Sequence, residues 1–414
     1  MPSTSVCRAT FAAMCAALAL AAAPAHLQAQ TGPDSTEQTP AGEPSPLEGI
    51  TFGVGFDGYY AWNTNRPIGR INLLRAYDVS SDSFSLNQAN LIVERAPDID
   101  KGRRIGLRLD LMFGQATETL QGSAANEPRP QAYRNVFQAY GSYVVPVGSG
   151  LQVDFGKFAS ALGFENNYTK DQINYSRSYF FNYLPFYHFG FRSTYAPTER
   201  ISLTYWLVNG AQQSEDFNGF KSQAAIITLK PTPAISWNIN YYAGREARDL
   251  VPDLNPGLPT LPTQPGLSVD AVSPFDRSRL HIVDTYASWT KGKTLIGAEA
   301  DYVAVRPPSG PSSTVSGGAA YAQYRFSPSG AVAVRYAYFA DRAGLFSGVE
   351  QNLQDVTATA TWQVSDGMML RGEWRRDSSD QPFFLGRTLE GLRRTQQTLT
   401  LGLLWWFGTK RGTW

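Results

Sequence analysis

The 414-residue chain carries 36 Lys and Arg against 35 Asp and Glu, a balance that gives no support to a nucleic-acid partner, which needs a basic surplus. Its two cysteines, Cys7 and Cys15, both fall in the first fifteen residues, so disulfides and thiolate metal sites are excluded from the rest of the chain. Past that opening segment no apolar run reaches ~18 residues, which excludes membrane-spanning helices.

The N-terminus reads as a cleaved export signal over residues 1–29. Arg8 is followed by an Ala- and Leu-rich run, and small residues offer cleavage after Ala25 or Ala29. Removing it takes away Arg8 and leaves 35 bases against 35 acids. Residues 30–49 are rich in Pro, Gly, Thr and Glu and too poor in apolar groups to pack; they are expected to be a disordered periplasmic leader.

From Ile50 the pattern turns to a period of two. Ile50, Phe52, Val54, Phe56, Tyr60 and Trp62 share one face, and Thr51, Gly53, Gly55 and Asp57 the other. Residues 84–93 shift phase, as at a bulge. Leu107, Leu109 and Leu111 oppose Arg108 and Asp110; Leu151, Val153 and Phe155 oppose Gln152 and Asp154; Trp237 and Ile239 oppose Asn238 and Asn240. Ala298, Ala300 and Tyr302 oppose Glu299 and Asp301, and Leu399, Leu401 and Leu403 alternate with Thr400 and Gly402. Successive strand side chains point to opposite faces, so each segment has an apolar and a polar side. Leu107, Leu109, Trp237, Ile239, Leu401 and Trp405 are expected to face lipid.

A soluble sandwich alternates too, but here ionised residues sit mid-strand on the polar face: Arg108, Asp110, Asp154, Arg192, Glu299, Asp301, Arg335, Arg371 and Glu373. They are expected to line a watered interior. Mixing both signs, they imply no strong ion selectivity. Short connections at 96–104, 146–150, 196–200, 231–234, 291–293, 327–330 and 365–367 alternate with longer ones, and together they join about sixteen strands, with 14 to 18 open. Tight turns on one side and long loops on the other mark an outer-membrane barrel. The expected fold is all-β: a transmembrane antiparallel up-and-down barrel over residues 50–407, with a tail at 408–414. A closed barrel pairs every backbone group in hydrocarbon, and sixteen strands enclose more space than wall side chains fill.

Near the end, Thr400, Gly402, Trp405 and Phe407 follow the spacing polar-x-Gly-x-x-aromatic-x-aromatic, which resembles the last-strand signal read by barrel-assembly machinery. The resemblance is in spacing and not in position, because residues 408–414 follow. Several runs resemble a known family: FDGYYAWNTNRP (56–67), RLDLMFG (108–114), FGKF (155–158), GFE (163–165), NYSRSYFF (174–181), PFYHFG (185–190), VNG (208–210) and NGFK (218–221). They are similar to the β-barrel porin-2, or OmpL-like, family. The match covers about half of the mature chain, and the later half fits by pattern only. The resemblance implies an outer-membrane porin without naming a solute.

Other motifs are weaker. Gly53, Gly55 and Gly58 match a dinucleotide fingerprint literally, but they sit inside a strand with no helix behind them and read as small residues on a crowded face. Gly156-Lys157 is followed by Phe158 where a phosphate loop needs Ser or Thr. His188 could serve Ser176 or Ser178 in a hydrolase, yet no oriented acid accompanies it. No cofactor and no metal ligands are indicated. Residues 159–185 form the loop of most interest, long and aromatic, with Glu165, Lys170, Asp171 and Arg177. Folded inward it would narrow a pore; packed over the rim it would not, and the sequence leaves both open.

The sequence therefore points to an exported porin in a Gram-negative outer membrane, passing small hydrophilic solutes by passive diffusion. Its partners would be membrane lipid, those solutes and the assembly machinery, with a homo-oligomer compatible. The competing classes are an outer-membrane hydrolase and a non-conducting structural or adhesion barrel.

Overall fold

The computed structural model describes residues 48–121, 127, 129–216, 218–247, 251–252, 260–261, 264–268 and 277–414. The expected signal at 1–29 and nearly all of the leader at 30–49 lie outside the described residues.

Strand formation follows from the alternation already noted. The first nine strands are β1 (Thr51–Asn63), β2 (Ser83–Arg95), β3 (Ile105–Phe113), β4 (Val136–Val145), β5 (Leu151–Ala159), β6 (Tyr187–Thr198), β7 (Ile201–Val208), β8 (Ser222–Thr232) and β9 (Ile235–Gly244). Short strands β10 (Val251–Pro252), β11 (Thr260–Leu261) and β12 (Gln264–Ser268) form a small separate sheet within the next connection. Then come β13 (Arg279–Lys291), β14 (Thr294–Arg306), β15 (Ser313–Arg325), β16 (Gly330–Asp341), β17 (Gln351–Ser365), β18 (Met368–Ser379) and β19 (Thr395–Gly408). The sixteen long strands close into one antiparallel barrel, with β9 pairing β13 and β1 pairing β19.

The phase shift near residue 87 is a bulge. Asp57 pairs Gln88 and Gly58 pairs Leu86, so Asn87 is unpaired, and both Asn87 and Gln88 turn inward. The tight turns gather at one end of the barrel. Between β17 and β18 the two-residue turn Asp366-Gly367 needs a positive φ, +80° at Gly367, and a side chain there would run into the backbone oxygen of Trp406.

Facing follows parity. Leu107, Trp237, Leu401 and Trp405 are exposed on the outside, Leu401 at 57%, and Leu109 and Ile239 are partly exposed on the same face. Asp110 and Asp301 point inward and are buried. Leu109 is the middle residue of β3, so Leu109→Arg is expected to lower folding stability in lipid vesicles by ~2–4 kcal/mol. Urea titration reads this, and a cost near zero would place Leu109 away from the bilayer midplane.

The barrel is not hollow at its loop end. A core of buried Phe158, Trp206, Val208, Ile226, Tyr242 and Phe339 on the inner wall packs against Leu162, Tyr179, Phe180 and Leu184 of the 160–186 connection. The inner wall was expected to meet water along its whole length. It does so only in part.

Candidate functional site

The site is the barrel interior and the two connections that enter it. The 160–186 connection folds inward and touches wall strands most of the way around. At its start, the amides of Gly163 and Phe164 donate to Asp284 on β13 (2.9 Å) and Glu299 on β14 (3.0 Å). Further on, the Tyr168 hydroxyl donates to Asp110 on β3, and the Tyr175 hydroxyl donates to Asp57 on β1 (2.9 Å). On the opposite wall, the amides of Tyr175 and Ser176 both donate to Glu373 on β18, at 2.6 and 2.9 Å. Arg371, two residues back on the same face, donates to the carbonyls of Thr169 (2.7 Å) and Gln172. A carboxylate holding two backbone N–H groups and a guanidinium holding two carbonyls are charge-assisted contacts, stronger than neutral ones.

Six of the nine wall residues expected to line a watered pore therefore meet something else. Asp110, Glu299, Arg335, Arg371 and Glu373 point inward but are buried under the loop they hold, and Asp301 is buried beside Glu299. The other three lie lower. Arg108 binds Asp110 (2.9 Å) and Glu94 (3.4 Å), and Arg192 binds Asp154 (2.7 Å); both guanidiniums keep some exposure.

The loop charges are likewise paired. Glu165 binds Arg335 at 3.0 Å and accepts from the Ser178 amide at 2.6 Å. Arg177 donates to the carbonyls of Asn166, Asn167 and Tyr175, bracing the loop from within. Lys170 binds Asp171 (2.7 Å) and the Gly412 carbonyl (2.9 Å), and the Trp414 amide donates to Asp171 (2.7 Å). The tail after β19 thus turns back into the barrel mouth, where the Trp414 indole lies against Tyr168 and Lys170. It also covers Gly53 and Gly55, and a side chain at either would meet its ring. This is the crowding that explains those glycines.

A chain of buried charges was not foreseen. From Glu165 it runs through Arg335, Asp355 (3.1 Å), Arg375 (3.6 Å), Asp377 (2.7 Å) and Arg75 (2.8 Å) to Asp78 (2.5 Å), every side chain being at most 2% exposed. Arg75 and Asp78 belong to the first long connection, 64–82, which also folds inward. The chain ties both connections to β16, β17 and β18. Arg375 and Asp377 share parity with Arg371 and Glu373, so the period-two pattern could have found them; nothing in the sequence points to Arg75 or Asp78.

Below the loop, the inner wall from β6 to β9 changes character. Arg192, Thr194, Thr204, Thr228 and Asn238 are only partly buried, and they hydrogen-bond along the wall, Thr194 to Thr204 at 2.9 Å and Thr228 to Asn238 at 2.6 Å. This leaves a polar vestibule at the turn end.

The hydrolase arrangement is not assembled. His188 contacts the Gly210 carbonyl (3.0 Å) and Ser160 Oγ (3.2 Å) and is fully buried among Trp206 and Tyr242. Ser176 Oγ instead accepts from Arg335, and Ser178 caps the short helix Tyr179–Tyr183 through the Phe181 amide. Lys157 lies over the Tyr187 ring at 3.8 Å, in no phosphate loop. In the last strand, Thr400 and Gly402 face inward while Trp405 and Phe407 face outward; a Cβ on Gly402 would overlap the Tyr175 ring, so this glycine has a packing reason of its own.

A family model described as "Putative beta-barrel porin-2, OmpL-like" matches residues 49–407. Among solved structures, the anion-selective porin from Comamonas acidovorans is 11% identical, with a TM-score of 0.53 covering 86% of this chain and 99% of that one. The outer membrane channel DcaP of Acinetobacter baumannii is 11% identical, with a TM-score of 0.51 covering 86% and 96%. A trimer form of OmpT, an outer membrane protein of Vibrio cholerae, is 11% identical at 0.52, covering 86% and 99%. At such identities the likeness is one of fold. No curated protein matches the chain by sequence.

Proposed function

Because the chain belongs to the β-barrel porin-2, OmpL-like family of outer-membrane barrels, we propose that it conducts small hydrophilic solutes by passive diffusion, through a path that the inward connections narrow. The observation that carries this reading is the arrangement inside the closed barrel: a polar, partly exposed wall at the turn end leads up to a loop seated across the waist. A purely structural barrel has no use for a polar vestibule under its own plug. The loop is seated mainly through hydrogen bonds and ion pairs, contacts that water can replace, so loop movement governs the width of the path. The nine wall charges named from the sequence and the loop charges Glu165, Lys170, Asp171 and Arg177 act in this reading as the loop's seat more than as a free selectivity ring.

The proposal includes export through a signal removed after residue 25 or 29, and insertion guided by the last strand through Thr400, Gly402, Trp405 and Phe407. Lipid lies against the apolar outer face. It also includes assembly into a homo-oligomer, in line with the trimer form of one similar barrel. The chain is not an enzyme in this reading: the ring nitrogen that would need an acid meets a backbone carbonyl instead.

Planar-bilayer recording of the purified protein tests it. Discrete conductance steps that fall with increasing size of an added neutral polymer are expected. A silent bilayer, with the protein shown to be folded by its heat-modifiable gel mobility, would turn the assignment toward a structural barrel.

A further inference from the structure

The wall beneath Gly163 and Phe164 carries three acids with no base to balance them. Asp284 and Asp301 sit directly opposite each other across β13 and β14, and Asn240 is opposite Asp284 on β9. Glu299 lies two residues before Asp301 on the same inner face. One carboxylate oxygen from each of Asp284, Glu299 and Asp301 falls within 4.8 Å of the others, and all three residues are buried. Like charges directly opposite on neighbouring strands destabilise a sheet, and no ion pair reaches any of the three among the described residues.

Glu299 and one oxygen of Asp284 are hydrogen-bonded, to the Phe164 and Gly163 amides, the Tyr321 hydroxyl and the Asn240 amide. Asp301 is different. It is 5% exposed, yet neither of its oxygens has a hydrogen-bond partner, and Asp284 Oδ1 has none either. A fourth unpartnered oxygen comes from outside the acids: Asn240, 1% exposed, places its Nδ2 2.6 Å from Asp284 while its Oδ1 has no donor. Buried carboxylate and amide oxygens are seldom left so. Gathered at one place without a base, they have the donor chemistry of a hard divalent cation, which takes 6–8 oxygen ligands at ~2.3–2.6 Å.

We propose that Asp284, Glu299 and Asp301 bind a calcium-like divalent cation inside the barrel, with Asn240 Oδ1 and water completing its shell. The site is independent of the channel reading, since a non-conducting barrel would hold the ion equally well. Bound there, the cation fixes the strands that carry the Gly163–Phe164 end of the loop. The sequence pattern named Glu299 and Asp301 only as pore-lining charges, because Asp284 and Asn240 become their neighbours through strand pairing alone.

Terbium luminescence on the full protein, refolded in detergent without lipopolysaccharide, tests this. Tyr321, bonded to Glu299, is placed to sensitise a bound lanthanide. One saturable terbium site per chain, emptied by calcium, is expected in the parent. Asp301→Asn should weaken it by at least about tenfold, and Asp366→Asn, an exposed turn acid, should leave it unchanged. Calcium should also raise the unfolding temperature of the parent and of Asp366→Asn but not of Asp301→Asn, a reading confined to variants with folded-barrel gel mobility. Absence of a calcium-displaceable site in the parent would overturn the proposal. So would an Asp301→Asn protein that binds terbium like the parent, since the acids would then be sharing protons in place of a metal.

Discussion

Deleting residues 166–174, with the ends joined by a short Gly-Ser link, is expected to raise the single-channel conductance severalfold. The segment supplies Tyr168 on Asp110, Thr169 and Gln172 on Arg371, and Asn174 on Thr359. It also supplies the carbonyls that hold Arg177, so the remaining arm loses its brace. The Trp414 tail loses Tyr168, Lys170 and Asp171 together and is free to leave the mouth. What opens is the waist of the barrel, and resistance concentrates at the narrowest section. Wall groups uncovered by the cut carry both signs (Asp57, Asp110, Arg371 and Glu373), so anion over cation preference should shift little. Screening over a Debye length of ~8 Å at physiological salt confines each charge to its own neighbourhood. Deleting residues 310–312, which lie exposed in a connection at the outer rim, is the control and should leave conductance as in the parent. Equal conductance in both deletions would mean that the waist is not where the path is narrowest.

The barrel itself was legible because a wall between lipid and an interior imposes period two on every strand, and turn lengths then separate its two ends. Parity placed Arg108, Asp110, Glu299, Asp301, Arg335, Arg371 and Glu373 on the inner face. It could not say that a connection would cover most of them, since loop direction depends on partners spread over many strands. The apolar interior left a trace: in β7, Tyr205, Trp206, Leu207 and Val208 break the alternation, with Trp206 and Val208 inward against the loop. A strand apolar on both sides is a strand packed on both sides, lipid outside and protein inside. Arg75 and Asp78 left no such trace, because a connection has no parity against which a buried charge stands out. Gly53, Gly55 and Gly402 looked like a motif or an assembly signal. Their smallness also answers rings brought from far along the chain, Trp414 and Tyr175.

The buried charge chain is the second place where a single substitution should act strongly. Arg335→Ala is expected to lower folding stability by about 3–5 kcal/mol, the usual cost of removing one member of a buried pair and leaving its partners charged. Arg335 is 1% exposed and binds Glu165 and Asp355 as well as the carbonyls of Ser176 (2.7 Å) and Arg177 (3.2 Å). Without it, Glu165 keeps only the Ser178 amide, while Asp355 keeps Thr357 (3.0 Å) and a longer reach to Arg375 (3.6 Å). Glu165→Gln should cost less, because a neutral amide still accepts from Arg335 and removes a buried charge as it does so. The double variant should then be less damaged than the two single costs added together, the mark of groups that interact directly. Since the lost contacts seat the loop and not the wall, Arg335→Ala should also make open-channel current noisier while the barrel remains folded by gel mobility. If Arg335→Ala cost no more than the ~0.5 kcal/mol of an ordinary surface change, with current noise unaltered, the charge chain would not be what holds the loop across the waist.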